Sequence, residues 1–322
     1  MSAKFKLAAV LALSLPVFAS LVHSARAADT VRVGLAAVYP AYAIPYAANE
    51  LGFYKEKNLD VQITQFRGGP ATQEALASGA IDISTIAPGA AALAIAKGVQ
   101  EKIVALSVPP TPQGWYILVP TASSIKSMAE LKGKTVGVTQ KGSLTDFWVQ
   151  RAAAKAGITV QAIPLGAPAV MPALKAKQVD AAILWPIFSY KGLADGDFRS
   201  IDDLGATMEP SVSEGWAASN ELIQNRPAVL RRWLEANAKA IVYLQSHENE
   251  NWAIGFLKHY FDEKDDHVIK LVLDNFIRRI NPDGVMKPEW MKASLDLAAS
   301  AGMETKLTAD QIFSTAFTPI KP

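Results

Sequence analysis

The stretch Lys134–Gly157, KTVGVTQKGSLTDFWVQRAAAKAG, packs a strand, a glycine-bearing turn and a capped helix into two dozen residues, and this unit limits what the chain can become. Thr135 to Val138 is β-branched enough for a short strand. Lys141-Gly142 interrupts it, and Ser143 with Asp146 three residues on has the spacing of a helix N-cap. Leu144, Phe147, Trp148 and Ala152 then share one helical face, and Gly157 closes the helix. Related punctuation occurs twice upstream. Leu59 to Phe66 alternates as a strand before Arg67-Gly68-Gly69-Pro70, and Ile81 to Ala87 precedes Pro88-Gly89. Each pair opens a helix with proline at its first turn and glycine, Gly79 or Gly98, past its end.

Strands alternating with helices at this spacing imply an α/β fold with mostly parallel sheets, whose ligand crevice lies beyond the strands' carboxyl ends. The first region contains strand candidates at Val31–Leu35, Leu59–Phe66, Ile81–Ala87, Lys102–Val108 and Trp115–Val119. After Pro120 the pattern restarts with Thr135–Val138, Ile158–Ile163 and Val179–Leu184. Trp216–Ser219 reads as a return strand. From Pro227 only amphipathic helical patterns remain, roughly Pro227–Gln245, Glu248–Tyr260, Asp265–Ile280, Pro288–Ala301 and Ala309–Phe317. This tail is expected to pack back on the first region, which makes that domain discontinuous: residues 28–118 with 217–322 around an inserted 119–216.

Residues 1–27 read as an export signal, with Lys4 and Lys6 before an apolar run from Leu7 to Val22 and Ala25-Arg26-Ala27 as the cleavage site. Removing them takes three basic residues and no acid from 32 basic and 30 acidic, leaving 29 against 30, or −1. No basic excess supports nucleic-acid binding. The chain has no cysteine, so disulfides and thiolate metal sites are excluded. A soluble periplasmic product, held by core packing alone, is expected.

Chemistry-bearing motifs are sparse. His247, His259 and His267 all fall in the helical tail at spacings that bind no metal, and no P-loop, GxSxG, HExxH or GxGxxG occurs. Asp82, Asp146 and Asp180 have cap or strand-start readings. The expectation is a binding protein without cofactor or metal and not an enzyme.

The order of VRVGLA, LGFYKEKNLDVQITQF, GGPATQEALASGAIDISTIAPGAA, SSIKSMAELKGKTVGVTQKGS and KAKQVDAAILWPIF resembles the periplasmic substrate-binding proteins of ABC importers for nitrate, sulfonate and taurine, a group related to the pyrimidine-precursor binders. The resemblance spans nearly the whole chain after residue 27. It implies two α/β lobes, each a mixed, mostly parallel sheet with flanking helices, joined by crossings near Tyr116–Pro120 and Trp216–Ser219. It also implies a monomer that closes on a small-molecule ligand and delivers it to an inner-membrane permease and ATPase. By position it places ligand contacts at Ala37, Val38, Tyr39, Gly69, Pro70, Thr72, Pro88, Gly89, Gln140, Gly142, Ser143 and Trp185.

Aromatic residues cluster near these turns, with Tyr39, Tyr42, Trp115, Trp148, Trp185 and Trp216 among them; Trp115 and Trp216 join the candidate contacts, although aromatics serve cores as readily as ligands. Arg67 has two readings, an anion partner or a solvent-facing loop residue. Helix N-termini offering neutral N–H donors favour a small organic anion, above all an aliphatic or aryl sulfonate. Nitrate, taurine, an aromatic carboxylate, a pyrimidine precursor and an enzyme on the same fold are the alternatives. Trp185 is followed by Pro186-Ile187-Phe188, where many relatives carry an acid, so an ammonium such as taurine's lacks its usual partner there.

Overall fold

Two five-stranded sheets divide the chain, and each is assembled from the same parts. The computed structural model describes residues 27–111, 113–207, 209–300, 302 and 305–322. The expected export signal therefore lies, apart from Ala27, outside the described residues.

Strands β1 (Asp29–Leu35), β2 (Leu59–Gln65), β3 (Ile83–Ile86) and β4 (Glu101–Leu106) alternate with helices α1 (Ala43–Glu50), α2 (Phe53–Glu56), α3 (Gly69–Ala77) and α4 (Pro88–Ala96). β5 (Tyr116–Pro120), β6 (Thr135–Val138), β7 (Gln161–Pro164), β8 (Ala181–Leu184) and β9 (Phe198–Asp203) follow, with α5 (Leu144–Lys155), α6 (Val170–Lys175) and α7 (Phe188–Ala194) between them. Next come α8 (Leu204–Thr207), β10 (Gly215–Ser219) and a helical tail. That tail comprises α9 (Asn220–Asn225), α10 (Pro227–Gln245), α11 (Glu250–Phe261), α12 (Asp266–Asn275), α13 (Pro288–Ser300) and α14 (Ala309–Ile312).

The sheet orders are β2-β1-β3-β10-β4 and β7-β6-β8-β5-β9. In each, one strand has parallel neighbours on both sides, β1 beside β2 and β3, and β6 beside β7 and β8. Each sheet is completed by one antiparallel strand in the fourth place, β10 or β5. β3 and β8 are buried along their whole length, as expected for inner strands covered on both faces. The chain leaves the first sheet after Leu106 and the second after Asp203, a few residues before the segments the sequence points to. Tyr116–Pro120 and Gly215–Ser219 are themselves strands of the sheets they enter, because each pairs through its backbone with a strand on either side.

The two passages are tied together. Ser107 N–H donates to the Glu214 carbonyl (3.3 Å) and Ser211 N–H to the Pro110 carbonyl (2.9 Å). The tail packs mainly on the first sheet's helices, with α10 against α1 and α2. Its buried face includes Trp233 and Leu230, Leu234 and Leu244, each leucine worth about 1.5–3 kcal/mol of transfer free energy. Two tail helices reach the second unit as well: α12 lies on α7, and α13 spans α4 and α5. Gly89 permits that approach, since a Cβ there would sit 2.6 Å from the Ala298 Cβ. The last helix stops at Ile312, short of the expected Phe317. Phe313 leaves it to bridge Ile103, and Ser314 N–H donates to the Ile103 carbonyl (2.8 Å), which covers the edge of β4.

At the start of β4, Glu101 is buried among strands. Gln73 satisfies its neighbours when its NH2 faces the Glu101 carboxyl (2.6 and 3.0 Å) and its oxygen accepts from Ser84 Oγ (3.0 Å). Burial pushes this carboxyl up from 4.5 to about 8, opposed by the Gln73 bond. A group with a raised folded value favours the folded state below its unfolded value and loses that contribution as pH climbs through about 8. Glu101→Gln is therefore expected to flatten the decline in stability between pH 5 and 8.5, by up to about 1.4 kcal/mol per pH unit. Denaturant melts at both ends of that range check it; parallel pH profiles for the two proteins would refute the assignment.

Candidate functional site

The carboxyl ends of β1, β3 and β6 meet the N-termini of α3, α4 and α5 between the sheets, and a cavity of about 50 Å³ lies there. A water needs roughly 10–15 Å³ by this measure, so the space suits about four waters, or a ligand of only a few heavy atoms unless the sheets part further.

The second unit contributes Thr139, Ser143, Leu144, Thr145 and Trp185. Ser143 caps α5, accepting from the Asp146 N–H (3.4 Å), while Asp146 accepts from the Gly142 N–H (2.8 Å). This realises the cap read from the sequence. The hydroxyls of Thr139, Ser143 and Thr145 bond one another at 2.8–2.9 Å. Ser143 Oγ–H also donates to the Gln140 carbonyl (2.8 Å), so an oxyanion at the helix end gains a hydroxyl donor when a rotor turns away from one of these partners.

The first unit and the passages supply Ala36, Ala37, Tyr39, Tyr42, Gly68, Gly69, Ile86, Ala87, Ala90, Trp115 and Glu214. Trp115 forms the aromatic centre, with ring centroids 5.5 Å from Tyr39, 4.9 Å from Trp148 and 6.1 Å from Trp185. Its Nε1–H donates to the Tyr39 hydroxyl (3.1 Å). The Trp185 Nε1–H crosses between units to the Val38 carbonyl (2.8 Å). Gly68 fits against the Gln140 side chain, which a Cβ would meet at 2.3 Å.

Of the residues singled out from sequence, the cavity wall takes Ala37, Tyr39, Gly69, Trp115, Ser143 and Trp185. Val38 touches the site through its carbonyl. Thr72 turns its hydroxyl back to the Gly69 carbonyl (2.7 Å), and Gly89 faces Ala298. Pro70 and Gly142 open on a separate groove between α3 and α4, and Pro88 and Gln140 do not line the cavity. Trp216 packs edge-on against Trp233, 5.1 Å between centroids, and belongs to the core. Arg67 is exposed and does not line the cavity, its guanidinium against Gly166 and its carbonyl accepting from the Ala167 N–H (3.3 Å).

Sequence reading missed Glu214. It is 6 % exposed, one residue before β10, and its carboxyl accepts from the Tyr42 hydroxyl. Burial pushes it up from 4.5 to about 7, with the Tyr42 bond pulling the other way. Burial and then the Glu214 charge hold the Tyr39 and Tyr42 phenols well above their ordinary range. The only signal was an acid directly before an apolar return strand, in Ser213-Glu214-Gly215-Trp216. No cluster of three or more metal-ligating acids and histidines occurs among the described residues.

A family model described as NMT1/THI5 like matches residues 39–251, most of the chain. The chain belongs to the NMT1/THI5-like family. A Brucella abortus strain 2308 protein described as a binding protein is 32 % identical over 211 residues, 63 % of this chain and 63 % of that protein. An Escherichia coli K12 protein described as binding aliphatic sulfonates is 32 % identical over 142 residues, 43 % of this chain and 44 % of that one. The chain thus spans less than two thirds of the curated relatives it matches. In three dimensions this family member superposes on the alkanesulfonate-binding protein SsuA from Xanthomonas axonopodis pv. citri, bound to MOPS, with a TM-score of 0.75, 22 % identity and coverage of 88 % and 98 %. That likeness establishes the two-lobed periplasmic-binding-protein fold.

Trp185→Phe keeps a smaller aromatic ring at this buried position and removes the bond to Val38. The contact between the two units should weaken by about 0.5–1.5 kcal/mol, seen as a larger radius of gyration and faster hydrogen exchange around Val38. An unchanged radius and exchange rate would mean that other contacts hold the lobes together.

Proposed function

We propose that this chain is the periplasmic solute receptor of an ABC importer, closing its two lobes on a small organic anion, a sulfonate above all. The observation that carries the reading is the cavity itself. It lies at the helix N-termini of both units, with the Thr139–Ser143–Thr145 triad at one side and aromatic rings at the other. Neutral donors and a helix end hold an anion without a counter-ion, which leaves the ligand free to depart. The rings fit an organic body better than bare nitrate.

The E. coli relative described as binding aliphatic sulfonates and the alkanesulfonate-binding structural neighbour support the head group. Relatives described as binding proteins support capture rather than catalysis. In this reading the receptor is a monomer without cofactor, and an inner-membrane permease and ATPase receive the solute from it. The lobes are the two sheet units, hinged at the paired passages, and the sequence-named contacts that line the cavity are the ligand contacts.

A thermal-shift panel of sulfonates, nitrate, aromatic carboxylates and aminopyrimidines tests this. Ligand at about 100 times its dissociation constant adds roughly 2.7 kcal/mol of stability. A sulfonate is expected to give the largest shift; a panel in which sulfonates do nothing while an uncharged heterocycle stabilises would overturn the anion reading.

A further inference from the structure

Pro186-Ile187-Phe188 leaves an ammonium without an acid beside Trp185, yet an acid enters the same cavity from another part of the chain. Glu214 comes in from the second passage, beside four aromatic rings, those of Tyr39, Tyr42, Trp115 and Trp185. No lysine, arginine or histidine lines this cavity among the described residues. The Tyr42 hydroxyl is the protein donor to the Glu214 carboxyl, and a carboxylate has about four acceptor positions. Nearby polar groups are unfilled as well. The buried hydroxyls of Ser213, its chain neighbour, and Ser107, whose N–H meets the Glu214 carbonyl, have no hydrogen-bond partner among the described residues.

An ionised carboxylate with one donor, out of water and without a cation, is costly. An ammonium relieves that cost, and the π-faces around it add attraction for positive charge. We infer that Glu214, oriented by Tyr42, is the docking point for a protonated amino group of the ligand, so that the solute is an aminated organic anion, its amine at Glu214 and its acid group at the α5 hydroxyl triad. The inference rests on the interlobe cavity being the solute site. It makes Glu214 the residue that sorts aminated from plain sulfonates, the role left open beside Trp185.

The charge of Glu214 gives the test its sign. Titratable groups facing it are the Tyr39 and Tyr42 phenols, both held well above the ordinary tyrosine range and so silent between pH 5.5 and 8.5. An ammonium requires the carboxylate, whereas a plain anion is helped by the neutral acid. With the free carboxyl at about 7, affinity for an aminated ligand should fall about tenfold per pH unit below that value and level off above it, with proton release on binding.

Calorimetric titration of the intact protein with 2-aminoethanesulfonate and ethanesulfonate, and with the 3-carbon pair, across pH 5.5–8.5 reads this directly. At pH 8 each aminated member is expected to bind at least about tenfold more tightly than its plain partner, one charge-assisted bond's worth. In Glu214→Gln the ratio within each pair should collapse toward one. Tyr42→Phe removes the donor that lowers the carboxyl, so the midpoint of the pH profile should move up, a readout available even if the glutamine variant folds poorly. Plain sulfonates binding as well as their aminated partners, or affinity for the aminated ligand rising as pH falls, would overturn the inference while leaving the sulfonate-receptor reading intact. If no sulfonate of either kind binds at any pH, the site reading fails and the inference falls with it.

Discussion

Everything about the site depends on how the two passages are held to each other. The backbone bonds between Ser107 and Glu214 and between Ser211 and Pro110 make a two-stranded joint, and this joint decides that the carboxyl ends of both sheets look at one another. Helix N-termini follow strand carboxyl ends in any α/β unit, so fixing the joint brings α3, α4 and α5 to one place from two separate domains. The same joint delivers Glu214 and Trp115 into the cavity, because both lie in or beside the passages. The passages and the candidate site are thus built partly from the same residues.

The division of labour within the cavity is electrostatic. One side offers hydroxyls and a helix end, the other a carboxyl under aromatic rings, and no basic side chain lies between them among the described residues. A buried salt bridge built from protein groups would have filled the space and fixed its own charge balance. Here the balance is left to whatever enters, and burial raises the carboxyl to about 7, so that it is about half protonated near neutral pH.

Local signals carried much of this into view. Thr135–Val138, the Ser143 cap and the proline-opened helices depend on neighbours within a few residues, and the structure forms them where the sequence points. Which face of those elements meets the cavity depends on distant partners. Gly89 reads as a ligand turn until α13 is seen resting on it through Ala298, and Trp216 reads as a platform until α10 brings Trp233 against it. Glu214 was hidden for the same reason: an acid before a strand looks like a solvated loop residue, and only the packing of Tyr42 and the two passages takes it out of water. The placement of the crossings slipped by a few residues because apolar segments that leave one domain look no different from those that enter the next.

The strand exchange also orders events in time. Residues 116–203 form a sheet from one continuous run of chain, so that unit completes itself from nearby contacts. The first sheet does not. β3 and β4 are separated by the place β10 occupies, and the pairing of Ile83 with Ala218 joins residues far apart in the chain. Contacts of such range are slow to form, since the intervening loop must be closed before they return any energy. Until residue 215 has been made and docked, the N-terminal unit carries open strand edges, the sort of surface that recruits other chains. The domain that comes first in the chain is therefore the last to close its sheet.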